Sequence, residues 1–274
     1  MSPDALQLAD LVYESVLGLA GIWLLWALVL RPAARARAKS RPDLLPAWPP
    51  PASDFILFLL MVIGGGLLLA FAGGMILRHY ELSNDSKIII GASTFQLGML
   101  LGVGLFFRLH PQSAPKSAPS AGRPWLAAAP TFFISIPLLQ ITSLIWLNLL
   151  DASGYPVERQ PLVDLMDRPD QPWPRLVLAI FSIVIVAPVT EELIFRAGIF
   201  RFLRTRLPRR GALILSALLF AALHADVPSF APLFVLGLVF ALAYERTGHI
   251  STTMGAHALF NLNTLILILT GVDK

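Results

Sequence analysis

Long apolar runs alternate with short polar or basic segments along almost the whole chain. Runs of about 20 mostly apolar residues predict helices that cross the hydrocarbon core of a membrane. Eight such runs are present, at residues 11–30, 55–77, 88–107, 125–150, 176–200, 211–226, 231–245 and 250–270. The sixth and seventh are short and are separated by Pro228 and Pro232, so either could be tilted or partly re-entrant. The pattern predicts an all-α fold, a polytopic transmembrane helical bundle of about eight spanning helices.

The composition points to the same environment. Of the 274 residues, 56% are hydrophobic and only 14% are charged, whereas a soluble domain has about 25% charged residues. The formal net charge of +4 does not indicate a nucleic-acid partner, because nearly all charges lie between the apolar runs. Cysteine is absent, which excludes a disulfide framework, a thiolate metal site and a cysteine nucleophile. The expected surroundings are therefore a lipid bilayer.

Lysine and arginine predict the orientation, because cytoplasmic loops carry an excess of both. They concentrate after the first, third and fifth runs, at 31–41, 108–123 and 201–210. The alternate connections carry fewer of them, and the connection at 151–175 also holds several acidic residues. We therefore expect the basic segments to face the cytoplasm. Both termini should then lie outside it, in what we take to be a bacterial inner membrane.

Polar clusters divide the chain into two parts. Residues 1–150 contain spans of generic character, whereas three clusters with ionisable groups interrupt the apolar runs of 175–270. Their sequences are APVTEELIFRAGIF at 187–200, FAALH at 220–224 and HALFN at 257–261. Ionisable side chains are costly inside a membrane and usually mark a functional site. We therefore place N-terminal transmembrane helices at 1–150 and the functional core at 175–270.

Helical spacing separates the members of the first cluster. Glu192 and Arg196 are four residues apart, with the glutamate on the N-terminal side, which favours an ion pair on one helix face. Neighbouring residues on a helix diverge by about 100°, so Glu191 points in another direction. This predicts that Arg196 neutralises Glu192 while Glu191 stays available as a general base. The alternative is that all three form one structural ion network.

The second cluster contributes a histidine at the depth of Glu191. Glu191 precedes Leu207 by the same number of residues by which His224 follows Pro208. If the chain turns at Leu207 and Pro208, the carboxylate and the imidazole lie level in a helical hairpin. They could then face each other and share a water molecule. A lone histidine on an apolar helix is more often a packed core residue.

The third cluster adds two polar side chains to one helix face. His257 and Asn261 are four residues apart, and together they offer donors of the kind that a developing oxyanion needs. The alternative is that they are polar contacts between helices. Pro188, three residues before Glu191, has no N–H and therefore frees a backbone carbonyl in the preceding turn.

The three clusters resemble the motifs of the CPBP family of intramembrane peptidases, which includes the type II CAAX prenyl endopeptidases and bacteriocin-processing and immunity relatives. The resemblance rests on EELIFR at 191–196, FAALH at 220–224 and HALFN at 257–261, with AYERTG at 243–248, and covers roughly 175–265. It implies an endopeptidase acting on a membrane-associated protein or peptide. The roles implied are a general base for Glu191, orientation of the attacking water for His224, an oxyanion hole for His257 and Asn261, and support for Glu192 and Arg196.

The requirement for a metal is left open by the residue types. Glu191, His224 and His257 could in principle bind zinc, because two histidines and a glutamate form a known catalytic zinc site. Glu191 would then be a ligand, and the paired Glu192 would be the only base nearby. Asn261 is a poor zinc ligand and a good oxyanion donor. We therefore expect a glutamate-dependent hydrolase that needs no cofactor, with a divalent metal such as zinc as the alternative.

Other classes of intramembrane protease, a transporter and a membrane scaffold are the alternatives to this peptidase. The sequence has no H-E-x-x-H zinc motif, no G-x-S-x-G serine elbow and no pair of mid-span aspartates. A transporter could use the same residues as a proton relay, but the internal repeats typical of transporters are not evident. A non-catalytic membrane scaffold that binds partners through the same polar cavity is a third reading.

Overall fold

All regular secondary structure in the described part of the protein is helical. The computed structural model describes residues 3–40, 44–115, 124–157 and 172–270. Parts of the predicted basic segments 31–41 and 108–123 and most of the acidic connection 151–175 lie outside these ranges. The nine helices within them are α1 Pro3–Leu25, extended by a π-helical turn Trp26–Leu30, α2 Pro32–Lys39, α3 Ala52–Leu77, α4 Asn84–Leu109, α5 Ala128–Ala152, α6 Trp173–Arg204, α7 Arg209–Ala222, α8 Val227–Thr247 and α9 Ile250–Thr270. The predicted all-α class is confirmed.

Seven helices of the described ranges are long and apolar enough to cross a membrane, namely α1, α3, α4, α5, α6, α8 and α9. The predicted span at 211–226 differs, because α7 has only 14 residues. At a rise of 1.5 Å per residue it is about 21 Å long, shorter than a hydrocarbon core of about 30 Å. The chain is thus an integral, multi-pass membrane protein in which one helix of the bundle stops short.

The end of α7 follows from the polar residues that come after it. Ala225 adopts a φ of 52°, a left-handed conformation that cannot continue a helix. Asp226 then caps α8, since its Oδ2 accepts a hydrogen bond of 3.0 Å from the backbone N–H of Ser229. Pro228 lies in the first turn of α8, where its missing N–H costs nothing. The short connection makes α7 and α8 an antiparallel hairpin.

Helix α6 is irregular on both sides of its acidic pair. Two segments have π-helical hydrogen bonding, Ser182–Val186 and Leu193–Phe200, and a short α-helical segment, Ala187–Glu192, lies between them. In the first segment the N–H of Ala187 donates to the carbonyl of Ser182, five residues earlier. Departures of this kind are frequent at functional sites. Glu191 and Glu192 therefore lie where the helix changes its winding.

Close backbone contact holds α3 against α4. A Cβ atom added to Gly98 would overlap the carbonyl of Gly65, and one added to Gly102 would overlap the carbonyl of Met61. Gly98 and Gly102 are one turn apart, so they form a continuous strip along which the two helices approach. Small residues serve this purpose in membrane helices, where tight packing replaces the hydrophobic effect as a driving force.

The N-terminal helices share a core with the helices of the C-terminal half. Trp48, Phe58 and Phe106 form one buried cluster with Phe195 and Ile199 of α6. The indole of Trp48 stacks on the ring of Phe106 with a centroid distance of 5.9 Å. This shared core means that α3 and α4 support the helix that carries the acidic pair. The division at 150–175 into two parts stays a prediction.

The buried Arg201, near the C-terminal end of α6, binds the segment that precedes α3. Arg201 is 1% exposed, and its guanidinium donates to the carbonyls of Pro46 (2.8 Å), Ala47 (2.7 Å) and Ser113 (2.8 Å). A planar guanidinium with five N–H groups is suited to such a set of acceptors. The proline-rich segment 44–51 is therefore held against the bundle without being helical itself.

Candidate active site

Glu191 and Glu192 are adjacent but have different surroundings. Glu192 is fully buried, and its Oε1 lies 3.0 Å from Nη1 of Arg196, which is the ion pair that the helical spacing predicts. The side chain of Glu191 is 17% exposed. Its Oε2 is buried and has no hydrogen-bond donor among the residues that the structure describes. Oε2 of Glu192 also has no hydrogen-bond partner among these residues. The two carboxylates therefore differ in what they face: Glu192 is paired with Arg196, whereas Oε2 of Glu191 lies 3.8 Å from two imidazole nitrogens.

Arg196 connects three helices around the paired carboxylate. It is 2% exposed, and its Nη2 donates to the carbonyl of Gly237 on α8 at 3.4 Å. The guanidinium carbon lies 4.4 Å from the ring centroid of Phe220 on α7 and 5.2 Å from that of Phe240 on α8. Aromatic faces attract a cation when water is excluded. Neither phenylalanine carries a polar group, so this role could not be predicted from their residue type.

His257 is bound to Glu192 and faces Glu191. Its Nδ1 lies 3.0 Å from Oε1 of Glu192, and because a carboxylate can only accept, Nδ1 carries the hydrogen. Nε2 on the other side of the ring is 3.8 Å from Oε2 of Glu191. Glu192 thus forms an ion pair with Arg196 and accepts a hydrogen bond from His257. The contact with His257 was not predicted, since helical periodicity shows partners only on the same helix.

His224 reaches the site from the turn that follows α7, not from within a span. Its Nδ1 donates to the carbonyl of Phe220 at 2.7 Å, and its Nε2 lies 3.8 Å from Oε2 of Glu191. Its side chain is 32% exposed, compared with 17% for Glu191 and 5% for His257. The structure therefore brings Glu191 and His224 to one depth, as their equal sequence distances from the turn at Leu207 and Pro208 predict.

Three atoms that can accept a hydrogen bond converge at this point. Both imidazoles use their Nδ1–H elsewhere, so in the neutral form each presents an unprotonated Nε2 to Oε2 of Glu191. The separation of 3.8 Å is too long for a direct hydrogen bond and suits two atoms that share a water molecule. The arrangement can bind a molecule that has two O–H groups and can take a proton from it.

Asn261 contacts another part of α6. Its Nδ2 donates to the carbonyl of Ile183 at 2.8 Å, in the first π-helical segment. His257 and Asn261 share a face of α9, as predicted, but they bind α6 at different heights. The role of Asn261 in an oxyanion hole stays a prediction.

No group of three or more His, Cys, Asp or Glu side chains within the described ranges is arranged to hold a metal ion. This includes the set of Glu191, His224 and His257 that the sequence offered as zinc ligands. Whether the protein needs a metal stays a prediction.

Comparisons with known proteins cover the same region. Residues 173–263 match the family described as type II CAAX prenyl endopeptidase Rce1-like. A protein of Bacillus subtilis (strain 168) named "Putative membrane peptidase YdiL" is 34% identical over 88 residues, which are 32% of this chain and 36% of YdiL. The match therefore spans about a third of that relative. No solved structure shows significant similarity to the chain. Residues 173–263 are thus similar to the CPBP family of membrane peptidases.

Proposed function

We propose that this protein is an intramembrane endopeptidase that hydrolyses a peptide bond of a membrane-associated protein or peptide by glutamate-activated water. One observation carries the proposal. Oε2 of Glu191 is buried and has no donor among the described residues, and it lies 3.8 Å from Nε2 of both His224 and His257. A buried acceptor left open beside two imidazoles fits a general base better than a structural ion network.

The first step is attack of water on the substrate carbonyl. Water donates one hydrogen to Oε2 of Glu191 and the other to Nε2 of His224, which directs its lone pair away from the protein. As the oxygen bonds to the carbonyl carbon, Glu191 takes a proton and the carbonyl π electrons move to the oxygen. General-base help of this kind contributes about 10²–10⁴-fold to the rate.

The second step is collapse of the tetrahedral intermediate. Its oxyanion needs donors, and the sequence offers His257 and Asn261 for this part: Nε2 of His257 donates when it carries a proton, while Nδ1–H stays on Glu192, and the part of Asn261 is tested below against a second role. Electrons from the oxyanion re-form the carbonyl, the C–N bond breaks, and the carboxylic acid of Glu191 gives its proton to the departing amine. Glu192 and Arg196 hold the His257 ring in place and do not exchange protons.

Replacing the general base tests the proposal. Purified wild-type protein and Glu191→Gln are incubated with a library of membrane-associated peptides, and the products are identified by mass spectrometry. We expect wild type to cleave at least one member and Glu191→Gln to cleave none while unfolding at the same temperature, because the substitution keeps the shape and removes the basic oxygen. Glu14→Gln is the matched control: Glu14 is also a glutamate within a span, on α1, and should be dispensable. Full activity of Glu191→Gln would rule out Glu191 as the base.

The metal requirement is tested separately. Protein shown by elemental analysis to be metal-free should cleave the same peptide at the wild-type rate, because a carboxylate and an imidazole can activate water without a metal. Inhibition by added zinc would not decide the question, since zinc can also occupy and block these side chains. If metal removal stops cleavage and stoichiometric zinc restores it, Glu191, His224 and His257 are ligands and the metal-independent proposal is wrong.

A further inference from the structure

Pro188 removes one backbone donor from α6 directly before the acidic pair. In the π-helical segment Ser182–Val186, the N–H of Ala187 donates to the carbonyl of Ser182, five residues back. The next bond in this register would run from residue 188 to the carbonyl of Ile183. Proline has no N–H, so that bond cannot form. The carbonyl of Ile183 therefore loses its helical partner.

A side chain from α9 occupies this carbonyl instead. Nδ2 of Asn261 donates to the oxygen of Ile183 at 2.8 Å in a partly buried contact. An unpaired backbone carbonyl is costly inside a protein, and more so within a bilayer, where water is scarce. The asparagine thus satisfies the one acceptor that the proline leaves open.

We infer that Asn261 is a positioning residue: its carboxamide replaces the missing N–H of Pro188 and fixes α9 against the segment of α6 that carries Glu191. His257 lies one turn before Asn261 on the same face, so the two side chains attach α9 to α6 at two heights. The first contact joins His257 to Glu192 at 3.0 Å, and the second, one turn further along α9, joins Asn261 to Ile183 at 2.8 Å. Together they set the distance between Nε2 of His257 and Oε2 of Glu191.

This role differs from that of an oxyanion donor in a way that can be measured. An oxyanion donor acts on the substrate, so its loss should not depend on residue 188. A residue that replaces a backbone N–H should matter less once that N–H is restored, which Pro188→Ala does. The inference rests on the proposed peptidase function only where catalysis is the readout, because the same coupling is visible in the stability of the folded protein.

The test is a double-mutant cycle of wild type, Asn261→Ala, Pro188→Ala and the double variant, measured by thermal unfolding in detergent and by kcat and KM on a cleaved peptide. We expect Asn261→Ala to lower the unfolding temperature and to lower kcat by about 10- to 100-fold with KM little changed, as for a misplaced catalytic group. In the Pro188→Ala background, the same substitution should change kcat by less than about threefold and leave the unfolding temperature nearly unchanged. If Pro188→Ala cannot be produced, Pro188→Ser restores the same N–H.

Matched controls come from α5. Asn148 also donates from Nδ2 to a backbone carbonyl, that of Leu144 at 2.6 Å, but on its own helix. Asn148→Ala should therefore show no coupling to Pro188→Ala. Pro137 lies within α5, and Pro137→Ala should show no coupling to Asn261→Ala. If cleavage is never observed, coupling in unfolding temperature still supports the inference, and only the proposed function fails. Equal effects of Asn261→Ala in both backgrounds would overturn it and return Asn261 to the oxyanion hole.

Discussion

Glu191 and Glu192 illustrate how one step along a helix gives two identical side chains different chemistry. Glu192 is fully buried, forms an ion pair with Arg196 and accepts a hydrogen bond from His257. Glu191 is partly exposed, and its Oε2 faces two imidazoles at 3.8 Å. A substitution at the first position should therefore act mainly on folding, and one at the second mainly on catalysis.

Glu192→Gln should destabilise the protein by about 3–5 kcal/mol, because it leaves the guanidinium of Arg196 buried without its ion-pair partner. The measurement is reversible unfolding in mixed detergent. Asp85→Asn is the control: Asp85 lies 3.8 Å from Arg175 in a more exposed pair, for which losses stay at about 1 kcal/mol or less. A Glu192→Gln variant as stable as wild type but unable to cleave would give Glu192 a direct part in the reaction.

Contacts within one helix could be predicted from the sequence, and contacts between helices could not. The pair of Glu192 and Arg196 follows from a spacing of four residues. The hydrogen bonds from His257 to Glu192 and from Asn261 to Ile183 depend on how α9 lies against α6, which no periodicity reports. The sequence shows His257 and Asn261 as polar positions in an apolar run, but it does not show which residues of α6 they contact.

At the scale of whole helices, the apolar pattern located the spans but not their internal geometry. Residues 176–200 were predicted as one span, and α6 does run through them, yet a hydrophobic run looks the same whether hydrogen bonds span four or five residues. Pro188 was the single sign of irregularity. The predicted span at 211–226 ended one turn too late, because Leu223 continues the apolar pattern beyond the end of α7 at Ala222 while being 69% exposed.

The contact between α3 and α4 should depend on Gly102 more than on its neighbour Gly104. A Cβ at Gly102 would overlap the carbonyl of Met61, whereas one at Gly104 meets nothing within 4 Å. Gly102→Ala should cost about 1–3 kcal/mol, as overpacking does, and Gly104→Ala should be neutral or slightly stabilising, because alanine favours helix. Unfolding in mixed detergent compares the two. Equal stability of both variants would mean that the helices can separate without loss.

For the whole molecule, the small share of charged residues predicted a membrane-embedded helical fold. Composition could not predict which helices pack against each other. The core around Trp48 joins α3 and α4 to α6, and Arg201 fastens segment 44–51 to the same end. Neither feature has a periodic signature, since each depends on a residue in a connection meeting a distant helix.

The proposed orientation predicts that position 35 and position 223 lie on opposite sides of the membrane. Arg35→Cys follows the first span, and Leu223→Cys lies in the exposed turn after α7; with no native cysteine, each variant has one thiol. A membrane-impermeant maleimide added to intact cells should label position 223 and spare position 35. Labelling of position 35 from the outside would reverse the proposed topology.

The early end of α7 also bears on how water would reach the candidate site. Nε1 of Trp146 on α5 donates to the carbonyl of Val227, directly after the turn, and α5 continues for about another 9 Å to Ala152. The turn at 223–226 therefore ends short of α5 and forms the bottom of a recess, or notch, beside that helix. Exposed irregular backbone does not occur against lipid chains, so we expect water to fill this notch. His224 lies at its edge, and the proposed hydrolysis would consume one water. That water would enter through the gap left by the early end of α7, from the face opposite the arginines of 201–210.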